Sequence, residues 1–338
     1  MKDQLLAELA KIVQAVTILS PTSFSFADQV IPQSDLAMQQ LQSLYPSQNP
    51  LITQLQQQLY SSCYCRRFTG HLLEERPDMA EDGSFLQELS EANSSQERWD
   101  SGWQIYQTLP SGQILAHKYG IMRMVWPGEF MAHDGFGMAP RVGANISILV
   151  ARESRTMQPG FYFAFGEAVT DQQDDYSIVR FYWNIPDSLA PGLIRLITRR
   201  LNRFQVPFRL KCLSFRTQFK RADAAVLFLG KRNYRITAEI LVDIYQQVKD
   251  NLKPETPLFT KQLAAGLGFA EDPGNGESFG MSRCRIVAEG LWSAYGKGLP
   301  TQQARLQEVI AHFEKNGIAL AHPYLNARSI DHYEFTSL

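Results

Sequence analysis

Two short segments carry the side chains with the clearest capacity for chemistry. Ser177–Ile185 reads Ser-Ile-Val-Arg-Phe-Tyr-Trp-Asn-Ile, and Phe208–Leu213 reads Phe-Arg-Leu-Lys-Cys-Leu. As strands, the first puts Arg180, Tyr182 and Asn184 on one face and Val179, Phe181 and Trp183 on the other. The second puts Arg209 and Lys211 on one face, opposite Phe208, Leu210 and Cys212. If both strands belong to one sheet, Arg180, Tyr182 and Lys211 converge on a rigid floor, which holds functional groups more tightly than loops do. Alternation alone also describes two strands with one polar face toward water, and by itself it favours that plainer reading.

The charge around these segments is lopsided. Between Arg195 and Arg235 there are twelve basic residues and one acid, Asp223, a local net of +11. The whole chain carries 33 basic and 34 acidic residues, so the remainder is acidic by about 12. A block of this kind focuses a positive potential that favours an anion such as a phosphate group or a phosphorylated chain. The plainer explanation is a basic helix face with scattered surface lysines. Nucleic acid ranks last as a partner, because the block lacks the regular aromatic interleaving that stacks bases.

Several other chemistries lack their signals. Cys63 and Cys65 are closer together than structural zinc pairs and have no second pair, so no metal is expected. There is no Gly-x-Ser-x-Gly elbow and no set of kinase motifs. The glycine-rich segment Gly266–Gly280 lacks the Gly-Lys-Ser/Thr of a nucleotide phosphate loop. Its glycines allow tight turns and close backbone approach to a ligand, and it precedes a helix whose amides could meet an anion. No cofactor is implied.

The elements that must position these residues divide at about residue 97. At ~150 residues per domain, 338 residues suggest two. Residues 1–97 read as a helical region. Leu5, Leu6, Leu9, Ile12, Val13 and Val16 have helical spacing, as do Leu36, Met38, Leu41 and Leu44, and then Ile52, Leu55 and Leu59. The polar stretch Glu74–Glu97 reads as a linker or long loop. Residues 98–338 read as an α+β domain, a mixed or antiparallel sheet with flanking helices. Its strands are expected at 104–109, 117–126, 144–151, 161–165, 177–185, 208–213 and 224–229. Its helices are expected near 193–204, 240–248, 285–295 and 302–315, with a loop over 254–280. Hydrophobic residues at 44% and charged residues at 20% fit a globular chain. No run of about 18 apolar residues suggests a membrane span. Four cysteines are too few for a disulfide scaffold, which points to a reducing cytoplasm.

The segments Val179–Ile185, Val206–Leu213 and Arg221–Leu229 together resemble the HopA-type effector family. So do Phe259–Gly280 and the following Arg283-Cys-Arg285. The resemblance spans roughly residues 99–338, and the glycine-rich segment is its most specific part. Family members occur as secreted bacterial effectors. Others act as lyases in class V lanthipeptide and thioamitide biosynthesis, beside an aminoglycoside-phosphotransferase-like kinase. A more distant similarity is to phosphothreonine lyases, with their Lys-Phe-His strand and later Phe-Lys strand. Arg180-Phe181-Tyr182 falls on the first motif and Leu210-Lys211 on the second.

The resemblance implies a phosphothreonine-lyase-like fold and β-elimination of phosphate from phosphoserine or phosphothreonine in a ribosomal precursor peptide. It casts Lys211 as the base. Tyr182, standing where those lyases have their histidine acid, becomes the candidate acid. Arg180, Arg221, Lys261 and Arg283 become candidate phosphate contacts, because guanidinium groups bind oxygens bidentately and stay charged. Lys261 could instead pair with Glu271 or Asp272, and one of Arg283 and Arg285 serves only to solvate its helix. His117 and His133 are alternative acids that no spacing selects. The implied partners are the phosphorylated precursor peptide and a separate kinase. The alternative is a non-catalytic effector-type module that binds a phosphopeptide or protein.

Overall fold

The computed structural model describes residues 2–32, 49–72, 83–133 and 139–335. The fold is α+β, with a helical N-terminal part leading into antiparallel sheets. Helix α1 (Lys2–Ala15) buries Leu5, Leu9, Ile12 and Val13, one stripe of an amphipathic helix. Beyond it the structure departs from the all-helical expectation. Val16–Ser20, Ser23–Phe26 and Gln29–Pro32 form β1, β2 and β3, a three-stranded antiparallel meander. Phe24 and Phe26 alternate with serines and are fully buried. Helix α2 (Pro50–Leu59) lies where expected, with Asn49 capping it. The helical pattern at 36–44 lies outside the described residues.

The expected linker also contains structure. Gly83–Ala92 forms α3, which buries Phe85 and Leu89. A five-stranded sheet follows, built from β4 (Arg98–Thr108), β5 (Ile114–Lys118), β6 (Ile121–Val125), β7 (Phe130–Ala132) and β8 (Asn145–Val150). Trp103, Ile105, Ile114, Ala116, Val125, Ile146 and Ile148 close a small core of its own.

The main sheet has seven strands. These are β9 (Glu153–Ser154), β10 (Phe161–Phe165), β11 (Ile178–Trp183), β12 (Arg209–Leu213), β13 (Ala225–Gly230), β14 (Lys261–Ala264) and β15 (Leu267–Glu271). Their order is β14-β15-β11-β13-β12-β10-β9, and every pairing is antiparallel. The hairpin β14–β15 replaces the loop expected over 254–280. Gly266 turns it with φ +72, and a Cβ there would lie 2.5 Å from the Lys253 carbonyl oxygen, so the turn requires glycine.

Helices cover both faces of this sheet. α4 (Ala190–Arg203) and α5 (Tyr234–Val248) lie on the side of Phe181, whose ring stacks on Tyr234 at 5.7 Å. α6 (Phe279–Gly296) lies on the side of Tyr182, with α7 (Gln302–Lys315) packed on α6. Side chains from α1, the meander, α2 and α3 join those of the seven-stranded sheet in one continuous core. Burial of this apolar surface is the main stabilising term.

Candidate active site

Register assembles the site. Phe163, Lys211, Val226, Tyr182 and Gly268 lie in one row across the sheet. Two residues along, Arg209, Phe228 and Arg180 form a second row on the same face. β13 therefore lies between the two motif-bearing strands, and small Val226 separates Lys211 from Tyr182. Two strand spacings place their backbones roughly 10 Å apart.

Lys211 Nζ sits 3.6 Å from the centre of the Phe161 ring. Among the described residues it has no hydrogen bond or ion pair. Burial pushes its pKa down to about 8, and Arg221 and Arg180 push the same way, against Asp223 and Cys65. Arg221 shares the Phe161 ring, its guanidinium carbon 5.8 Å from the centre. Its Nε and Nη2 donate to the two oxygens of Asp223 at 2.8 and 2.7 Å. Asp223 is 6% exposed. Burial opposes its ionisation, but the Arg221 charge and hydrogen bonds outweigh burial and hold the carboxyl below the usual range.

Arg180 directs Nε and Nη2 at Asp272 Oδ2, the first at 2.8 Å. Its guanidinium lies 4.9 Å from the Phe228 ring centre, and that of Arg209 lies 5.8 Å from the same centre. Arg209 is exposed and carries no ion pair among the described residues. The site thus holds two cation pairs, each sharing one phenylalanine ring.

Tyr182 is 2% exposed. Its ring meets Tyr64 edge-on at 6.5 Å and Phe279 at 6.3 Å. Burial raises its pKa, with Arg180 and Tyr64 offsetting part of the rise, so the hydroxyl keeps its proton at neutral pH. That hydroxyl adjoins Arg180 and Tyr64, yet no partner meets it in normal hydrogen-bond geometry.

The structure brings Lys211, Arg180, Arg221 and Tyr182 together. It does not bring Lys261 to them. Lys261 pairs across the hairpin with Phe269, which pairs with Phe181, so it belongs to the opposite face. There it binds both oxygens of Asp331 and the Tyr333 carbonyl at 2.7 Å, rather than Glu271 or Asp272. Glu271 is instead held by Lys231 and Tyr333. Arg283 is in the interior, 2% exposed. It donates to the carbonyls of Pro323 and Leu325 at 2.7 and 2.8 Å, and to Ser282. Burial pushes its pKa down to about 10. It works as a clamp on the segment 323–325. Arg285 pairs with Glu277 and Glu289. His133 bonds Ser147 and His117 meets Tyr106, both on the five-stranded sheet.

Three residues appear in the sequence reading without a role in the site: Arg209, Asp223 and Asp272. The alternation that selects Lys211 selects Arg209 equally. Nothing in spacing marks the two carboxylates as partners of Arg221 and Arg180.

The glycine-rich segment serves the chain's own packing. Ser278 caps α6 by accepting from the Met281 amide. Gly280 lets the Tyr64 ring rest on that helix, since a Cβ there would lie 2.4 Å from the ring. Gly280→Ala is expected to lower stability by about 1–3 kcal/mol through overpacking. A urea midpoint equal to that of the wild type would contradict the close approach.

Among the described residues, no cluster of three or more His, Cys, Asp or Glu could hold a metal ion, and no helix is long and apolar enough to cross a membrane.

The model of the HopA1 effector protein family matches residues 152–325, and the chain belongs to that family. The matched span contains both motif-bearing strands and the glycine-rich segment. Among solved structures, an effector protein from Pseudomonas syringae pv. tomato strain DC3000 aligns at 17% identity and TM-score 0.43. That alignment covers 85% of this chain and 99% of the other. An effector from Pseudomonas syringae pv. syringae strain 61 aligns at 17% identity and TM-score 0.33, covering 50% and 63%. No curated protein matches the chain.

Proposed function

We propose that this protein is a lyase that eliminates phosphate from phosphoserine or phosphothreonine in a peptide. Lys211 carries the reading. It is an amine on an inner strand, unpaired among the described residues, held against an aromatic ring and pushed to about 8 chiefly by burial, with Arg221 and Arg180 adding to it. A base at this site takes the Cα proton of the phosphorylated residue. The C–H electrons form the Cα=Cβ bond, the Cβ–O bond breaks, and phosphate departs with that electron pair. Arg221 has Nη1 free of hydrogen bonds among the described residues, and Arg209 has its whole fork, so both can hold the phosphoryl oxygens. Arg180 lends charge to the acyl oxygen as it becomes enolate-like. Tyr182 lies one strand beyond Val226 from Lys211, and its protonated hydroxyl is the candidate donor to the leaving oxygen once Tyr64 and Phe279 uncover it.

In its fuller form the substrate is a ribosomal precursor peptide of lanthipeptide-like biosynthesis, phosphorylated by a separate aminoglycoside-phosphotransferase-like kinase. The family resemblance supports that form. All four cysteines are free and buried, which supports action in a reducing cytoplasm.

The test is mass spectrometry of a phosphothreonine peptide incubated with the protein. Loss of phosphoric acid is expected. An unchanged mass with measurable binding gives the second reading, a non-catalytic effector-type phosphopeptide or protein binder. One observation favours that alternative: the Tyr182 hydroxyl lies beneath Tyr64 and Phe279. Tyr182→Phe is therefore informative. It is expected to slow elimination about tenfold to a hundredfold while leaving peptide affinity unchanged. An unaltered rate would take the acid role from Tyr182.

A further inference from the structure

Immediately after α2 the chain widens into one π-helical turn, Tyr60–Tyr64. Such turns are rare and recur at functional sites. This one stacks Tyr60 on Tyr64 at 5.2 Å with nearly parallel rings, and Tyr64 in turn meets Tyr182 edge-on. The Tyr60 hydroxyl donates to Asp223 Oδ2 at 3.3 Å and accepts from Arg221 Nη2 at 3.2 Å. It thereby closes a three-membered ring of hydrogen bonds with the buried ion pair. Cys65, the next residue after the turn, points its thiol at the same carboxylate oxygen at 3.9 Å.

The arrangement constrains one guanidinium from three sides. Asp223 takes Nε and one N–H of Nη2, Tyr60 takes the other, and the Phe161 ring lies alongside. Nη1 is left over, on the side of the fork away from Nε. A planar fork fixed in this way presents its remaining N–H groups in one direction. The geometry points to Tyr60 as a positioning residue, supplied by the N-terminal region, that aims the free edge of Arg221 at a phosphoryl group beside Lys211. This rests on the phosphopeptide reading above and names the residue that sets its affinity. Burial and the nearby Asp223 raise the Tyr60 pKa, so the hydroxyl stays a donor throughout the neutral range.

The test compares equilibrium binding of a phosphothreonine peptide and its unphosphorylated twin, which needs no turnover. Tyr60→Phe keeps the ring stack and removes only the hydroxyl. It is expected to weaken the phosphopeptide about tenfold, to leave the unphosphorylated twin unchanged, and to keep the unfolding midpoint within a few degrees. In an Arg221→Ala background the same change is expected to have no further effect, because it acts through that guanidinium. Where turnover is measurable, KM rises and kcat holds. Equal phosphopeptide affinity in Tyr60→Phe and wild type overturns the proposal, as does a full additional loss in the Arg221→Ala background. A protein that binds but never eliminates phosphate would sink the lyase reading and leave this comparison intact.

Discussion

If the protein is the proposed lyase, Lys211→Ala is expected to abolish elimination, lowering kcat at least about a thousandfold, while the affinity for a phosphopeptide is expected to change by no more than about threefold. The asymmetry follows from the role. In the proposed mechanism the amine takes a proton in the transition state, whereas Arg221 and Arg209 hold the phosphate. The pH profile carries the same signature. With the free amine as the proposed base, kcat/KM is expected to climb as pH rises through about 8 and to level off above it. Bound phosphate dianion favours the ammonium form, so the limb in kcat lies at higher pH. Quantitative mass spectrometry across pH 6–10 reads both parameters. Wild-type activity in Lys211→Ala, or a limb falling instead of rising with pH, removes the base from this position.

The buried pair Arg221–Asp223 gives the other large effect. Asp223→Ala strands a guanidinium in a mostly buried place and is expected to cost about 3–5 kcal/mol. The double variant Arg221→Met with Asp223→Leu leaves no stranded charge and is expected to regain most of that stability. It is not expected to regain the proposed phosphopeptide binding. Urea unfolding and calorimetric titration separate the two outcomes. A double variant as unstable as Asp223→Ala would show that the pair is required for folding itself. The pH dependence has a fixed sign. The folded carboxyl is depressed below its unfolded value, so the pair's stabilisation is fully present above about pH 4 and is lost as pH falls through the depressed value.

How far these residues are legible in sequence depends on the distance over which the signal acts. Alternation within β11 and β12 is local, and it puts Arg180, Tyr182 and Lys211 on polar faces that do converge. The strand between them, β13, is a matter of topology, so the spacer Val226 is invisible until the register is known. The hairpin β14–β15 reads as a loop because Ala-Ala-Gly-Leu-Gly has turn composition, and pairing with β11 overrides it. A register shift between Gln262 and Ala264 further blurs face parity, and Lys261 falls on the wrong side for the site. The meander at 16–32 is visible as Ser-Phe-Ser-Phe but is overshadowed by the strong helical spacing before it. Arg283 shows a different limit. A guanidinium at a helix start looks like an anion contact, whereas burial against two backbone carbonyls makes it a fastener.

Tyr64 fills the notch at Gly280 and lies edge-on against Tyr182, yet it comes from a part of the chain well upstream of both. A fragment trimmed to begin at residue 98 would leave Tyr182 and the notch at Gly280 bare on that side. Arg221 would lose one of its two tethers, and the stacked Tyr60 and Tyr64 rings would go with it. The smallest piece that keeps the proposed site intact is therefore longer than residues 152–325, which carry the family's signature.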